Sequence, residues 1–110
     1  MPVAIDFESS NPPVFRSFIA TNTLVAGEIF RDSDNHLSVS RGGFSSGEQA
    51  VADLTGDGYF PKGSGEFLQG AFVRYNITLG VIEGSNPAEG EGVVLEGALA
   101  SDARVSVRIF

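Results

Sequence analysis

The chain has no cysteine and no tryptophan, a single histidine and a single lysine. Without cysteine there are no disulfides, no thiolate nucleophile and no thiolate metal site, and cysteine usage carries no trace of a redox compartment. With His36 as the one imidazole, beside DSDN in a turn composition of Asp, Ser and Asn, spacing gives no support to a Ser-His-Asp arrangement, and His36 reads as a solvated loop residue. No apolar run approaches the roughly 18 residues that a membrane-spanning helix needs. The opening MPVAIDFESSNPP has neither a basic region nor a continuous apolar centre, so it is not read as a signal peptide, and neither export nor a membrane partner is expected. Basic runs are also missing. Seven Lys and Arg stand against 14 Asp and Glu, a net charge of −7, whereas nucleic-acid binders concentrate positive charge to neutralise phosphates. No nucleic-acid partner is expected, and an acidic surface favours solubility or a basic protein partner.

What is present is glycine, proline and phenylalanine. Fourteen Gly and 5 Pro cut 110 residues into short segments, and 9 Phe give one core its bulk. That punctuation favours short strands over long helices, so the expected fold class is all-β in a single domain. DARVSVRIF is the clearest strand: Ala103, Val105, Val107 and Ile109 alternate with Arg104, Ser106 and Arg108. AFVRYNITL alternates likewise, with Ala71, Val73, Tyr75, Ile77 and Leu79 on one face and Phe72, Arg74, Asn76 and Thr78 on the other. HLSVSR turns Leu37 and Val39 inward, and VFRSFIA, GEIFR and GVVLEGALA are apolar runs bounded by turn residues. GEQAVADL is the one segment that reads as a helical turn, too short to stand alone.

Three corners look alike: LVAGEIF, FSSGEQA and PAEGEGV each place mostly small residues before Gly-Glu and then enter a strand. Gly27, Gly47 and Gly90 are expected to supply the positive φ of a tight turn, with the following Glu exposed. The first 13 residues differ from the rest. Val3, Ile5 and Phe7 alternate as in a strand, but SSNPP interrupts it, so residues 1–13 are expected as an extended arm and residues 14–110 as the β domain. In that reading the three apolar side chains of the arm bury against a partner.

Motifs for chemistry are weak. DSDNH opens like a calcium loop, but Leu37 stands where glycine is required and Gly43 where the closing Glu belongs, so an Asx-rich hairpin turn explains it better. Asp53 and Asp57 in DLTGDGYF lack a third ligand, and the GSG stretch lacks the strand, helix and Lys-Ser/Thr of a phosphate cradle. Carboxylates are plentiful but sit in turns, where they are expected anyway. Asn76 to Thr78 matches a glycosylation triplet, without meaning in an unsecreted protein. No catalytic residue, metal ligand or cofactor site is assigned, and the chain reads as a structural or binding module, not an enzyme.

The order of the remaining motifs is more specific. SSGEQAVADLTGDGYFPK, then GAFVRYN, then DARVSVRIF, preceded by NTLVAGEIF, resembles the small phage capsid proteins known as head-fibre, cement or head-decoration proteins. The resemblance covers about residues 18–110. This chain departs from that family in a longer link between its first two corners and in GVIEGSNPAEGEG where an Ala-rich segment is usual, and the N-terminal arm has no counterpart.

The resemblance implies a small β-barrel or β-clip-like domain on the exterior of an icosahedral head, made in the host cytoplasm. It also implies a homotrimer that bridges subunits of the major capsid protein. Phe72 and Phe110 fall on the nominally wet faces of their strands and are expected at a subunit interface. Val3, Ile5 and Phe7 are expected to hold the capsid. The alternative is a carbohydrate- or receptor-binding domain of a phage fibre, with Tyr59 and Phe60 exposed in the GDGYFPK loop as the stacking residues; the absence of Trp weighs against it.

Overall fold

The computed structural model describes residues 2–110, and every regular element among them is a β-strand. In chain order these are β1 (Ile5–Ser9), β2 (Phe15–Ile19), β3 (Ile29–Arg31), β4 (Leu37–Ser40), β5 (Gln49–Asp53), β6 (Gly56–Pro61), β7 (Phe72–Asn76), β8 (Val81–Gly84), β9 (Gly92–Glu96) and β10 (Arg104–Ile109). They form a six-stranded sheet in the order β1-β6-β10-β9-β7-β8 and a four-stranded sheet in the order β2-β5-β4-β3, with antiparallel pairing throughout both. An isolated parallel bridge from Lys62 to Ile82 brings the β8 edge back to the end of β6. The larger sheet therefore curls without closing into a barrel.

Alternation explains most of the core. Val105, Val107 and Ile109 of β10 are buried, as the period of two requires, and meet Val73, Tyr75, Ile82 and Val94 from the same sheet. Ile29, Leu37 and Val39 cross from the smaller sheet. Phe60 sits in the middle with 0% of its surface exposed. A second, smaller cluster lies on the opposite face of the four-stranded sheet, where Ala20, Leu24 and Ala50 are covered by Phe18, Phe30 and Phe44. Small residues (Ser38, Ser40, Ala50 and Ala52) occupy the central strands there, so Phe18 and Phe30 on the two edges fold over them to a ring separation of 5.7 Å.

The corners follow a rule that the Gly-Glu pattern only half captures. Residues 25–28, 45–48, 68–71 and 99–102 are four tight turns, each closed by an amide-to-carbonyl bond of 3.0–3.1 Å across the turn. Three carry glycine at the third position with φ of 81°, 90° and 84° at Gly27, Gly47 and Gly70, the left-handed geometry that a β-carbon resists. The residue before each turn pairs with its counterpart: Leu24 exchanges two hydrogen bonds with Phe44, and Phe67 exchanges two with Ala98. The acid at the fourth position reaches back to the first amide, Glu28 to Val25, Glu48 to Ser45 and Asp102 to Leu99. Gly90, expected in this set, is not. Its turn lies earlier, at residues 86–89, and Gly90 is small because a β-carbon there would stand 3.0 Å from Cδ1 of Phe72.

Three other expectations change. GEQAVADL contains strand β5 and no helical turn, since Ala50, Ala52 and Asp53 are needed to fill the smaller sheet. AFVRYNITL stays extended only to Asn76, whose side chain accepts the Leu79 amide at 3.0 Å and starts a turn closed by the Gly80 amide on the Asn76 carbonyl. Ile77 and Leu79 are consequently 54% and 70% exposed instead of inward. The N-terminal segment is no detached arm. Residues 2–4 pair with β3, through Ala4 N–H to Gly27 carbonyl at 2.8 Å and Ile29 N–H to Pro2 carbonyl at 3.1 Å, and β1 then pairs with β6 in the other sheet. A register shift between Ile5 and Glu8, with Asp6 at φ 54°, lets one short segment serve both sheets.

Candidate functional site

DSDNH forms the hairpin turn that its composition suggested. Asp32 Oδ1 accepts the amides of Asp34 and His36, both at 2.9 Å, and His36 Nδ1 lies 2.6 Å from the Leu37 carbonyl. Asp32 and Asp34 also share Arg16, with Nη1 at 3.1 and 2.6 Å from the two carboxylates. Among the described residues no group of three or more His, Cys, Asp or Glu side chains could hold a metal ion, and no helix is long and apolar enough to cross a membrane.

The strongest polar site ties the two sheets together. Arg31 of β3 lies against Glu91, just before β9: Arg31 Nη2 donates to Glu91 Oε1 at 2.7 Å and to the Tyr75 carbonyl at 2.8 Å, and the Tyr75 amide donates to the same Oε1 at 3.0 Å. Burial of Glu91 opposes its ionisation, but hydrogen bonds from Arg31 and from the Tyr75 amide outweigh that cost and hold its pKa below the ordinary value. The Glu of the third sequence corner is thus a half-buried structural acid, not an exposed one.

Lys62 of the Phe-Pro-Lys motif is also structural. It is buried, and its Nζ donates to the carbonyls of Gly63 and Ala100 at 3.1 and 3.4 Å while lying 5.7 Å from the centre of the Phe67 ring. One lysine therefore anchors the pair of corners at Phe67 and Ala98. The Phe-Pro-Lys motif alone gives this lysine no task; its uniqueness in an acidic chain is the signal in the sequence that points to one.

The outer face of the six-stranded sheet gathers most of the expected contact residues. Ile5 lies directly opposite Tyr59, both exposed, so one arm residue and one loop residue form a single cross-strand pair. Phe72 pairs with Val93, which pairs with Arg108, placing Phe72 two strands from the β10 end where exposed Phe110 follows. Phe72 is half-buried under the Gly90 loop. Arg108 clasps Asp57 at 2.8 and 3.0 Å between these apolar groups, and its hydrogen bonds hold the Asp57 pKa below the usual carboxylate range.

The other site residues are placed differently from expectation. Phe60 is not an exposed loop residue: GDGYFP is strand β6, and its alternation sends Tyr59 out and Phe60 into the core. Phe7 is not free to bury in a partner, because the shift after Ile5 turns it inward, edge-on to Phe60 at 6.2 Å. Gly56 and Gly58 make room; β-carbons there would lie 2.6 Å from Cζ and 2.9 Å from Cδ2 of Phe7. Val3 is half-buried, bridged to Glu28, with its carbonyl accepting Arg104 Nη1 at 2.8 Å.

A trough of about 460 Å³ on the four-stranded sheet is lined by Phe18, Leu24 and Phe30 together with Arg16 and Asp32. An ion pair beside phenyl rings gives it a mixed polar and apolar lining suited to binding.

No protein-family model matches the chain, and no curated protein is detectably similar to it. The likeness to head-decoration proteins rests on the quoted motifs alone.

Proposed function

We propose that the chain is a bacteriophage head-decoration module that sits on the capsid exterior and stabilises it by bridging subunits of the major capsid protein. The observation that carries this reading is where the family-like segments fall. SSGEQAVADLTGDGYFPK supplies a paired corner, β5 and β6; GAFVRYN supplies β7; DARVSVRIF supplies β10, which lies along the whole of β6. The resemblance thus falls on the frame of the fold, in the order the fold needs, and not on isolated turns.

The mechanism is mechanical. Ile5 and Tyr59 form an apolar pair flanked by charged groups on a rigid sheet, suited to a fixed protein surface. Phe72 and Phe110 share that sheet face and form the contact between three copies. Three weak capsid contacts held in one trimer act together, so each can be modest. The acidic surface keeps the free protein soluble and offers opposite charge to a basic capsid rim.

The test is to add the purified protein to undecorated icosahedral heads of the phage that encodes it and to map the shells by electron microscopy. New density at three-fold or quasi-three-fold positions is expected, weakened by Ile5→Asp with Tyr59→Ala. Unchanged shells together with a positive glycan array would overturn the reading in favour of a fibre domain using Tyr59.

A further inference from the structure

Four strand edges bound the two sheets, and three are guarded. The β1 edge carries a register shift with Asp6 and Glu8. The β8 edge is short, carries Glu83 and is met by Lys62 at Ile82. The β3 edge is met at its first residue by residues 2–4, through the Ile29 amide on the Pro2 carbonyl and, just before the strand, the Ala4 amide on the Gly27 carbonyl. The β2 edge has none of these devices. It is five residues in unbroken register with β5, with no proline, no bulge and no acid, and Phe15 and Ile19 are 50% and 61% exposed. Natural proteins guard edges against stray pairing, so an open, apolar edge marks a pairing surface.

Its hydrogen-bonding groups face outward in a defined pattern. The Leu54 amide donates to Val14 and the Ala20 amide donates to Glu48, so even-numbered residues bond to β5 and the amides and carbonyls of Phe15, Ser17 and Ile19 point away from the sheet. Their side chains share one face, in the order large, small, large.

We infer that β2 pairs antiparallel with β2 of a second copy about a two-fold axis through Ser17. The strand is self-complementary in this register: Phe15 faces Ile19 of the other copy, Ser17 faces Ser17, and on the other face Arg16 lies against Phe18. Three residue pairs then exchange six backbone hydrogen bonds, and the two four-stranded sheets become one of eight.

Charge does not oppose a like partner here. The chain carries −7, yet no Asp or Glu lies between Glu8 and Glu28, and Arg16, the one ion in that stretch, is matched within its own copy by Asp32 and Asp34. The contact is smaller than the 1,200 Å² or so of a standard stable interface, so the pairing is weak in solution and strengthened where copies are held close together.

The experiment uses the whole chain, without capsids, so its outcome is separate from the shell reading. Sedimentation from about 10 μM to about 1 mM is expected to show reversible association, and Ser17→Lys, at an exposed position, is expected to weaken it at least tenfold with an unchanged thermal midpoint. Because the protein has no cysteine, Ser17→Cys gives a direct second reading. Its two sulfurs meet at the axis, where Cα atoms about 5.5 Å apart allow a disulfide. Mild oxidation is expected to yield covalent dimer at least tenfold faster than for Ser46→Cys on an exposed corner. Equal cross-linking rates, or association untouched by Ser17→Lys, would overturn the pairing, as would a wild-type chain that stays unassociated at 1 mM and takes up only foreign strands.

Discussion

The ring of Phe7 stands edge-on to that of Phe60, centroids 6.2 Å apart and planes at 85°. One side chain belongs to the N-terminal segment and the other is the most enclosed aromatic of the core. This contact, with the hydrogen bonds of residues 2–4 to β3, makes the N-terminal segment a staple between the sheets. Removing residues 1–10 is therefore expected to abolish cooperative unfolding, not to release a docking arm from an intact domain. Phe7→Ala should cost about 2–3 kcal/mol and Phe60→Ala about 3–5 kcal/mol, read from urea midpoints.

Gly58→Ala is expected to destabilise by about 2 kcal/mol, because the new β-carbon would stand 2.9 Å from Cδ2 of Phe7 and 3.2 Å from its Cα. Much of that cost should vanish in the Phe7→Ala background, where the ring is gone. A double-mutant cycle measures it, and strict additivity would mean that the glycine serves the backbone alone.

The Arg31–Glu91 pair makes stability depend on acid. Glu91 has a folded-state pKa below its ordinary 4.5, so its contribution is fully present above about pH 4.5 and is lost as pH falls through the lower folded value. Glu91→Gln should lower the thermal midpoint at pH 7 and narrow the gap to wild type at pH 3. A gap that widens in acid would refute the assignment.

Tyr75 behaves oppositely to most buried polar groups. Its hydroxyl is buried and has no hydrogen-bond partner among the described residues, and burial raises its pKa. Tyr75→Phe removes an unpaired group at nearly constant volume and is expected to leave stability unchanged or higher by up to about 1 kcal/mol. A loss above 1 kcal/mol would show that the hydroxyl is satisfied.

Lys62→Met keeps the stem but strands two carbonyls, and is expected to cost about 1–2 kcal/mol. Hydrogen exchange should rise at the Phe67 and Ala98 amides, which pair beneath the lysine. If exchange is unchanged there, the amine does not hold the corners.

The all-β class and strand β10 were legible because period-two alternation reports one buried face directly. β4 was legible at Leu37 and Val39, though Ser38 and Ser40 are buried too, since the smaller sheet packs on both sides. The misread corner has a simple cause. Gly-Glu marks a turn, but the docking partner is the apolar residue three positions before the glycine: Leu24, Phe44 and Phe67, whereas Pro87 precedes Gly90. Phe7 reads as a surface residue because alternation cannot reveal the register shift in β1, and one residue of slip exchanges inside for outside; Phe60 does so because its glycines make GDGYFP look like a loop, whereas β6 alternates regularly and buries it. Ile5 and Tyr59 were each expected outside, but only tertiary pairing makes them neighbours.

β6 lies between β1 and β10, the first and last strands in the chain. During synthesis β6 emerges with one flank available to β1 and must wait for β10 before its other edge is paired. At roughly 5–20 residues per second the delay lasts several seconds, during which an unpaired strand can capture the wrong neighbour. The two glycines that admit the Phe7 ring also make Gly-Asp-Gly a poor β-former, at a strand that carries Phe60. A weak β-former at this position is expected to pair slowly with stray strands until the chain that completes it has left the ribosome.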